Sequence, residues 1–259
     1  MTLDELKARL DSFSPAKIAF VATVVESLSN PSQASIRSEG TWLTAVPDWI
    51  EYFGLALSVH HAATTVPLGL TPFETVFRNA CSHVEWAVTA PGSATQRFVD
   101  LSVRAGSDPA RHLSLKSTAA KNLSQTTVHI SKLTEAAWIQ DTRTPTARRE
   151  ATLELFASYQ RVVTSILMLR AFRAADDDQA PRLYQLIEIP AMLFDSIQHE
   201  PLAAFQSDAP VIPCRDATGR TVARVSLDRS DAKITVRSVQ INACTVHAEW
   251  TRAQSPRLL

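Results

Sequence analysis

Two residues of opposite charge stand within two short, half-apolar segments: Asp100 in RFVDLSV (residues 97–103) and Lys116 in HLSLKS (residues 112–117). The connector between them, RAGSDPAR, is rich in turn residues, so the segments read as neighbouring β-strands. Pairing would bring both side chains to one sheet edge. A carboxylate beside an ammonium is the minimal equipment for metal-dependent phosphodiester hydrolysis. The carboxylate holds a hard cation such as Mg2+, which prefers oxygen ligands. The cation lowers the pKa of a bound water and offsets charge on the phosphate. The lysine orients that water or helps to deprotonate it, and stabilises the negative transition state.

The general PD-(D/E)XK nuclease arrangement has a second acidic residue two positions before the lysine. Here that position is Ser114, a poor ligand for Mg2+. A second carboxylate must then come from elsewhere, and Glu74 on the preceding helix is the best candidate. The main-chain carbonyl of Leu115 is a further ligand candidate. Ser114 and, more remotely, Glu188 are candidates to support the site from behind. Each residue also has a plain alternative. Asp100 can be an edge-strand charge, Lys116 a solvated one, and Glu74 the last member of a helix-capping box.

The elements that must position these groups can be read from patterning. Ser14-Pro15 opens an apolar helix running to about residue 29, and Pro47-Asp48 opens another carrying Trp49, Tyr52, Phe53 and Leu57. Thr71-Pro72-Phe73-Glu74 reads as a capped helix start, with the helix running to about Val88 before Pro91-Gly92. Residues 119–141 and 147–172 read as helices. The stretches YQLIEI, TVARVSL, KITVRSV and CTVHAEW read as strands. The expected fold is α+β (or α/β): a central mixed sheet flanked by helices, in a single domain over 1–259, with 1–45 a helical N-terminal extension.

Composition bounds the function. Lys+Arg and Asp+Glu are 26 each among 259 residues, which excludes a polycation but not a locally basic face. No apolar run approaches the length of a membrane span, and the N-terminus does not read as a secretory signal. Three scattered cysteines give neither zinc spacing nor a disulfide framework, so the expected compartment is the cytoplasm. No dinucleotide, P-loop or hydrolase-elbow glycine motif occurs. The acidic run Asp176, Asp177, Asp178 reads as an exposed loop.

Between Arg97 and Lys132 there are six Lys/Arg against two Asp, a local surplus suited to a phosphate backbone. Lys121, Lys132, Asn122 and His129 in this stretch are DNA-contact candidates. Asn122 can equally cap a helix, and His129 can be a buried polar residue. His60-His61 cannot both point one way from a helix, which argues against joint metal ligation. Gln185 and Glu188 face opposite sides of their strand.

The block LSLKSTAAKNLSQTTVHISK, with FETVF upstream and YQLIEIP downstream, resembles the SmaI-like Type II restriction endonucleases of the PD-(D/E)XK superfamily. His60-His61 in LALSVHHAATT and Cys244-Thr245-Val246-His247 with Trp250 fit the same resemblance, in order over roughly residues 50 to 250. The first ~45 residues carry no such match. The resemblance implies a restriction-endonuclease-like core and a Mg2+-dependent enzyme. It further implies blunt cutting of duplex DNA at a short palindromic GC-rich site, CCCGGG, to leave 5′-phosphates. A two-fold symmetric homodimer matches such a palindrome. Asp100, Lys116 and Glu74 fall on the nuclease core in this reading, and Ser114 occupies a position that looks non-acidic across the family. The rival reading is a non-catalytic DNA-binding or assembly protein on a nuclease-like fold.

Overall fold

The computed structural model describes residues 2–90, 97–173 and 181–252. The acidic run 176–178 and the Pro91-Gly92 stop lie outside them. Among the described residues six α-helices precede or separate the strands: α1 (Leu3–Asp11), α2 (Pro15–Ser29), α3 (Pro47–Ala63), α4 (Leu70–His83), α5 (Trp138–Asp141) and α6 (Pro145–Val162). The first four strands are β1 (Gln33–Ile36), β2 (Ala87–Thr89), β3 (Leu101–Arg104) and β4 (Arg111–Thr118). Then come β5 (Thr127–Glu135), β6 (Ser165–Phe172) and β7 (Leu183–Pro190). The chain ends with β8 (Val211–Arg215), β9 (Thr221–Asp228), β10 (Lys233–Gln240) and β11 (Thr245–Thr251).

Seven strands form a mixed sheet in the order β1-β11-β7-β6-β4-β3-β2. Its neighbours are antiparallel except β4 and β6, which run parallel. A second, antiparallel sheet has the order β5-β10-β9-β8. The α+β class and the helix-flanked central mixed sheet are thus as expected.

Strand alternation divides the central sheet's apolar residues into two cores. Leu113 and Leu115 of β4, Leu167 and Leu169 of β6, and Tyr184 and Leu186 of β7 pack with Trp49, Phe53, Phe73 and Phe77 of α3 and α4. Ile166, Met168, Ile187 and Ile189 pack on the opposite side with α6 and the inner face of the second sheet. The helices and the second sheet therefore clamp β4 from two sides, which fixes its register and every side-chain direction along it.

Several sequence-based assignments change. Residues 127–135, read as helix, form β5. Val128 and Ile130 are buried while His129 and Ser131 face out, a period of two that the surrounding polar residues disguise. Residues 165–172, read as the end of a long helix, form β6, whose first seven residues are all buried. A strand covered on both faces is apolar over most of its length, and periodicity cannot separate it from a buried helix. Residues 33–36, placed in a helical extension, form β1 on the edge of the central sheet beside β11. Helix α4 begins at Leu70 behind Gly69, with no side-chain cap, and ends at His83 rather than Val88. Glu85, with φ of 59°, turns the chain out of the helix into β2.

One close approach tests the packing. A Cβ on Gly54 of α3 would lie 2.9 Å from the Trp250 ring, which is fully buried and held by its indole bond to the Ile50 carbonyl at 3.2 Å. Gly54→Ala would gain up to about 1 kcal/mol of helix propensity. Overpacking against an immobile ring costs roughly 1–3 kcal/mol. The expected net effect is a lower denaturation midpoint. A midpoint equal to or above that of the unsubstituted protein would show that Trp250 has room to shift.

Candidate active site

Asp100 sits in the bend immediately before β3, not in mid-strand as its segment suggests. Phe98 just upstream has φ of 80°, which turns the chain into the strand late. The Asp100 amide nonetheless donates to the Leu113 carbonyl at 2.8 Å, continuing the β3–β4 ladder. Leu101 pairs with Leu113, so Asp100 lies opposite Ser114. Alternation then sends Asp100, Ser114 and Lys116 to the face opposite Leu101, Leu113 and Leu115.

The three side chains form one cluster. Asp100 Oδ2 accepts from the Leu115 amide at 2.6 Å, the Ser114 hydroxyl at 3.3 Å and the Lys116 ammonium at 3.5 Å. Among the described residues no donor reaches Oδ1. Lys116 Nζ also donates to Ser114 Oγ at 2.8 Å and to the Leu115 carbonyl at 3.0 Å. All three ammonium donors are thereby directed. The Asp100 contact is the longest, so it is the easiest to exchange for a phosphate oxygen. The side chains of Lys116 and Asp100 are 17% and 35% exposed, so the cluster is held in place yet open to a ligand.

Glu74 on α4 lies within electrostatic reach of this cluster. Its carboxyl is pushed above the usual carboxylate range, first by burial and then by the negative charge of Asp100, with Lys116 and Arg78 opposing. The absence of a side-chain cap on α4 leaves this carboxylate free of the capping-box role. Two carboxylates held against mutual repulsion are the electrostatics that a cation relieves. Together with the Leu115 carbonyl they form an all-oxygen donor set that fits a hard divalent ion. No cluster of three or more His, Cys, Asp or Glu suited to a metal occurs among the described residues. Two carboxylates, with water and substrate oxygens completing the shell, is a common way of holding Mg2+.

The other sequence candidates go elsewhere. Glu188 is not behind Lys116. It shares a strand face with Tyr184 and Leu186, on the other side of the sheet. There its carboxylate accepts from Trp42 Nε1 at 2.9 Å and the Ser165 hydroxyl at 2.6 Å, and pairs with His247 Nε2 at 2.9 Å. Gln185, on the face opposite Glu188, accepts from Arg170 and donates to Glu249, both at 2.6 Å. Arg170 in turn donates to the Ser124 and Thr127 carbonyls, pinning the far end of the β4–β5 loop. Lys121 and Asn122 are exposed in that loop, and Asn122 has φ of 59°, a turn residue and not a helix cap. His129 and Lys132 are exposed on β5, and Lys132 pairs with Glu135 at 2.7 Å. His60 and His61 bond the carbonyls of Val66 and Thr64, and His61 also meets the Tyr184 hydroxyl at 2.8 Å, so both serve structure.

One residue beside the cluster escaped sequence reading. Tyr159 of α6 is 1% exposed, and its ring packs edge-on against Phe98. Its hydroxyl is buried without a hydrogen-bond partner, and burial pushes its pKa well up. In the sequence it is one more apolar-stripe position of a helix. Only the fold reveals that its ring packs against Phe98, two residues before Asp100.

A family profile described as SmaI, Type II site-specific deoxyribonuclease, matches residues 6–252. The chain belongs to the SmaI family of Type II site-specific deoxyribonucleases. It is 26% identical over 212 residues to the Type II restriction enzyme SmaI of Serratia marcescens, covering 78% of this chain and 79% of that protein. No solved structure gives a significant match. The SmaI-family match starts at residue 6, so it takes in the N-terminal helices that show no resemblance to the eye. Membership makes this a Type II restriction endonuclease with DNA as its substrate, and sets aside the non-catalytic alternative. No described helix of this SmaI-family chain is long and apolar enough to cross a membrane.

The Glu188 cluster generates a pH prediction. Burial alone would raise the Glu188 carboxyl, but bonds from His247, Ser165 and Trp42 outweigh it and pull the pKa from 4.5 to about 2. A depressed carboxylate stabilises the fold above its unfolded pKa and loses that contribution as pH falls through its folded one. From pH 4.5 down to 2, Glu188 should therefore cost the fold about 3 kcal/mol. Chemical denaturation of Glu188→Gln should show a shallower loss of stability across that window. Parallel pH curves for the two proteins would contradict the assignment.

Proposed function

We propose that this endonuclease hydrolyses duplex DNA in a Mg2+-dependent reaction centred on Asp100, Glu74 and Lys116. The observation that carries the reading is the unequal use of the Asp100 carboxylate. Oδ2 is held by three donors while no described donor reaches Oδ1, and the Asp100 charge is felt at the Glu74 carboxyl. Asp100, Glu74 and the Leu115 carbonyl are the groups that would hold Mg2+. When bound, the ion supplies Lewis acidity and charge neutralisation at the scissile phosphate.

The chain's own residues do the rest. The Leu115 amide and Ser114 hydroxyl fix Asp100 in one orientation. Lys116 exchanges its long contact to Asp100 for a phosphate oxygen or for the attacking water, orienting the water and offsetting charge in the transition state. Water adds to phosphorus in line, the bond to the 3′-oxygen breaks, and a 5′-phosphate and 3′-hydroxyl remain. Lys121 and Asn122, on the loop that leaves β4, contact the DNA next to this centre, with His129 and Lys132 further along β5. Lys132 must first release Glu135.

The proposed target is a palindromic GC-rich site, CCCGGG, cut bluntly, and the proposed compartment is the cytoplasm. A palindrome cut in both strands calls for two copies of this centre, so the active form is a homodimer. The whole chain acts as one endonuclease domain.

A plasmid carrying CCCGGG should be linearised with Mg2+ and left intact with EDTA, and end sequencing should return blunt 5′-phosphorylated termini. Asp100→Ala should cut at least about 1,000-fold more slowly, keep its thermal midpoint within a few degrees, and still bind the duplex in Ca2+. Cleavage by Asp100→Ala at the unsubstituted rate would remove Asp100 from the site. Sedimentation equilibrium should give twice the 28.4 kDa chain mass. A monomer that cuts both strands in one binding event would contradict the dimer.

A further inference from the structure

We propose that the exposed apolar face formed by α2 and the neighbouring α3–α4 groove is the surface through which two copies of this chain join. This rests on the homodimer proposed above and names the part of the fold that makes it.

Helix α2 stands apart among the described helices. Nine of its fifteen residues are Ala, Val, Ile, Leu or Phe, yet none of the fifteen is buried. The comparable helices α3, α4 and α6 each bury four or more residues. A helix so rich in apolar residues belongs inside a core or an assembly. Its attachment is one-sided. Val24 and Ser27 are half-buried, and the Ser27 hydroxyl donates to the Ser58 carbonyl of α3 at 2.6 Å. Ile18, Val21, Val25 and Leu28 follow at spacings of three, four and three, so they form a stripe along the helix. Glu26 lies off that stripe, and Lys17 sits over the Phe13 ring at 5.4 Å.

The stripe runs into a hollow. Leu28 at its end lines a groove of about 610 Å³, walled by Tyr52, Ala56 and Val59 of α3 and by Pro72 and Val76 of α4. The Tyr52 ring is stacked on His83 at 4.6 Å, which sets that wall in place. The groove has few polar groups with which to orient a small ligand. His60 is bonded to the Val66 carbonyl at 2.8 Å, and Thr75 donates to the Thr71 carbonyl at 3.2 Å. An apolar protein surface suits it better than a polar metabolite.

Shape, area and charge say what covers the face. A two-fold interface joins the same surface of both copies, so that surface must be complementary to itself. A ridge beside a hollow meets this condition, because the ridge of each copy enters the hollow of the other. Ile18, Phe20, Val25, Leu28, Val59 and Leu70 are 37% to 67% exposed. Together they leave roughly 500 Å² of apolar surface in water, about two thirds of one partner's part of a standard interface. A polar rim supplies the remainder. A helix that lies on a membrane would flank such a stripe with several basic residues. Lys17 is the only lysine or arginine in α2. The face also adjoins the reactive cluster: Pro72, Thr75 and Val76 line the groove from α4, the helix that carries Glu74. A docked partner braces that helix.

The test uses the full-length protein. Val25→Glu puts a charge on the ridge and Val59→Glu puts one on the lip of the hollow, both at exposed positions. Met192, 69% exposed in the turn after β7 that packs on α6, gives the control Met192→Glu. Sedimentation equilibrium should show the unsubstituted protein and Met192→Glu as equally tight dimers. The dimer dissociation constant should rise at least about 100-fold in Val25→Glu and Val59→Glu, since each charge is buried twice across the two-fold axis. Both variants should keep the near-ultraviolet circular dichroism of the unsubstituted protein. Their plasmid cleavage should be lost at concentrations where the unsubstituted protein cuts, and should return as protein concentration is raised. One readout needs no substitution. Diluting the unsubstituted protein through its dissociation constant should speed amide hydrogen exchange in α2 and leave β9 unchanged.

Val25→Glu and Val59→Glu dimers as tight as the unsubstituted ones, or exchange in α2 that ignores dilution, would overturn the proposal and leave the homodimer standing. An unsubstituted protein that linearises the plasmid as a monomer would remove the homodimer itself, and this surface with it. Equal weakening in Met192→Glu would show a general effect of added charge and overturn the assignment. Flotation with phosphatidylcholine vesicles that Val25→Glu abolishes without loosening the dimer would give the face to a lipid surface instead.

Discussion

The site depends on a single backbone-to-carboxylate bond. The Leu115 amide donates to Asp100 Oδ2 at 2.6 Å, tying a side chain just outside one strand to the main chain of the next. That bond is possible because Asp100 precedes β3 in the bend set by Phe98, with its own amide still paired to Leu113. It also orients the carboxylate, leaving Oδ1 without a donor among the described residues. Ser114 and Lys116 add to an arrangement that the main chain has already set. A hydrogen bond from a backbone amide to a carboxylate is short and strong, and its donor cannot rotate away. The geometry of the Asp100–Lys116 cluster is therefore as rigid as the strand that carries it.

Rigidity of β4 comes from burial on both sides. Leu113 and Leu115 anchor one face in the aromatic core of α3 and α4, and β6 runs parallel beside it with its own residues buried to either side. A one-residue slip of β4 would carry Ser114 and Lys116 into that aromatic core and turn two leucines onto the polar face beside Asp100. The cost of that exchange pins the register, and with it the separation of Lys116 from Asp100. On the far face of the sheet, the Glu188–His247–Trp42 cluster joins the segment after β1 to β7 and β11. A second chain of bonds, Arg37 to Glu249 to Gln185 to Arg170, runs across the sheet to the loop that carries Lys121 and Asn122. The reactive strand and the loop leaving it are thus braced by different networks.

The meeting of Asp100 and Lys116 was more legible in the sequence than the strand order was. Asp100 and Lys116 could be paired because both lie on short segments separated by turn residues, where neighbouring in sequence implies neighbouring in space. Glu74 could be suggested only by type, since what brings it close is the packing of α4, a tertiary effect. Glu188 was misplaced because strand parity tells which residues of one strand share a face but not which face meets a residue on another strand. The strands at 127–135 and 165–172 were hidden for opposite reasons. The first has polar residues on its exposed side that blur the alternation, and the second has no exposed side at all. Tyr159 carried no signal, because a tyrosine in a helical stripe looks the same whether its hydroxyl meets solvent, a carbonyl or, as here, no partner at all.

The central claim is that Asp100 and Glu74 share a divalent ion beside Lys116. Its most direct test is a crystal soaked in Mn2+ and measured at the manganese absorption edge. An anomalous peak within coordinating distance of Asp100 Oδ1, the Glu74 carboxylate and the Leu115 carbonyl is the expected result. No peak there, or a peak at another group of oxygens with Asp100 still bonded only to Leu115, Ser114 and Lys116, would contradict it.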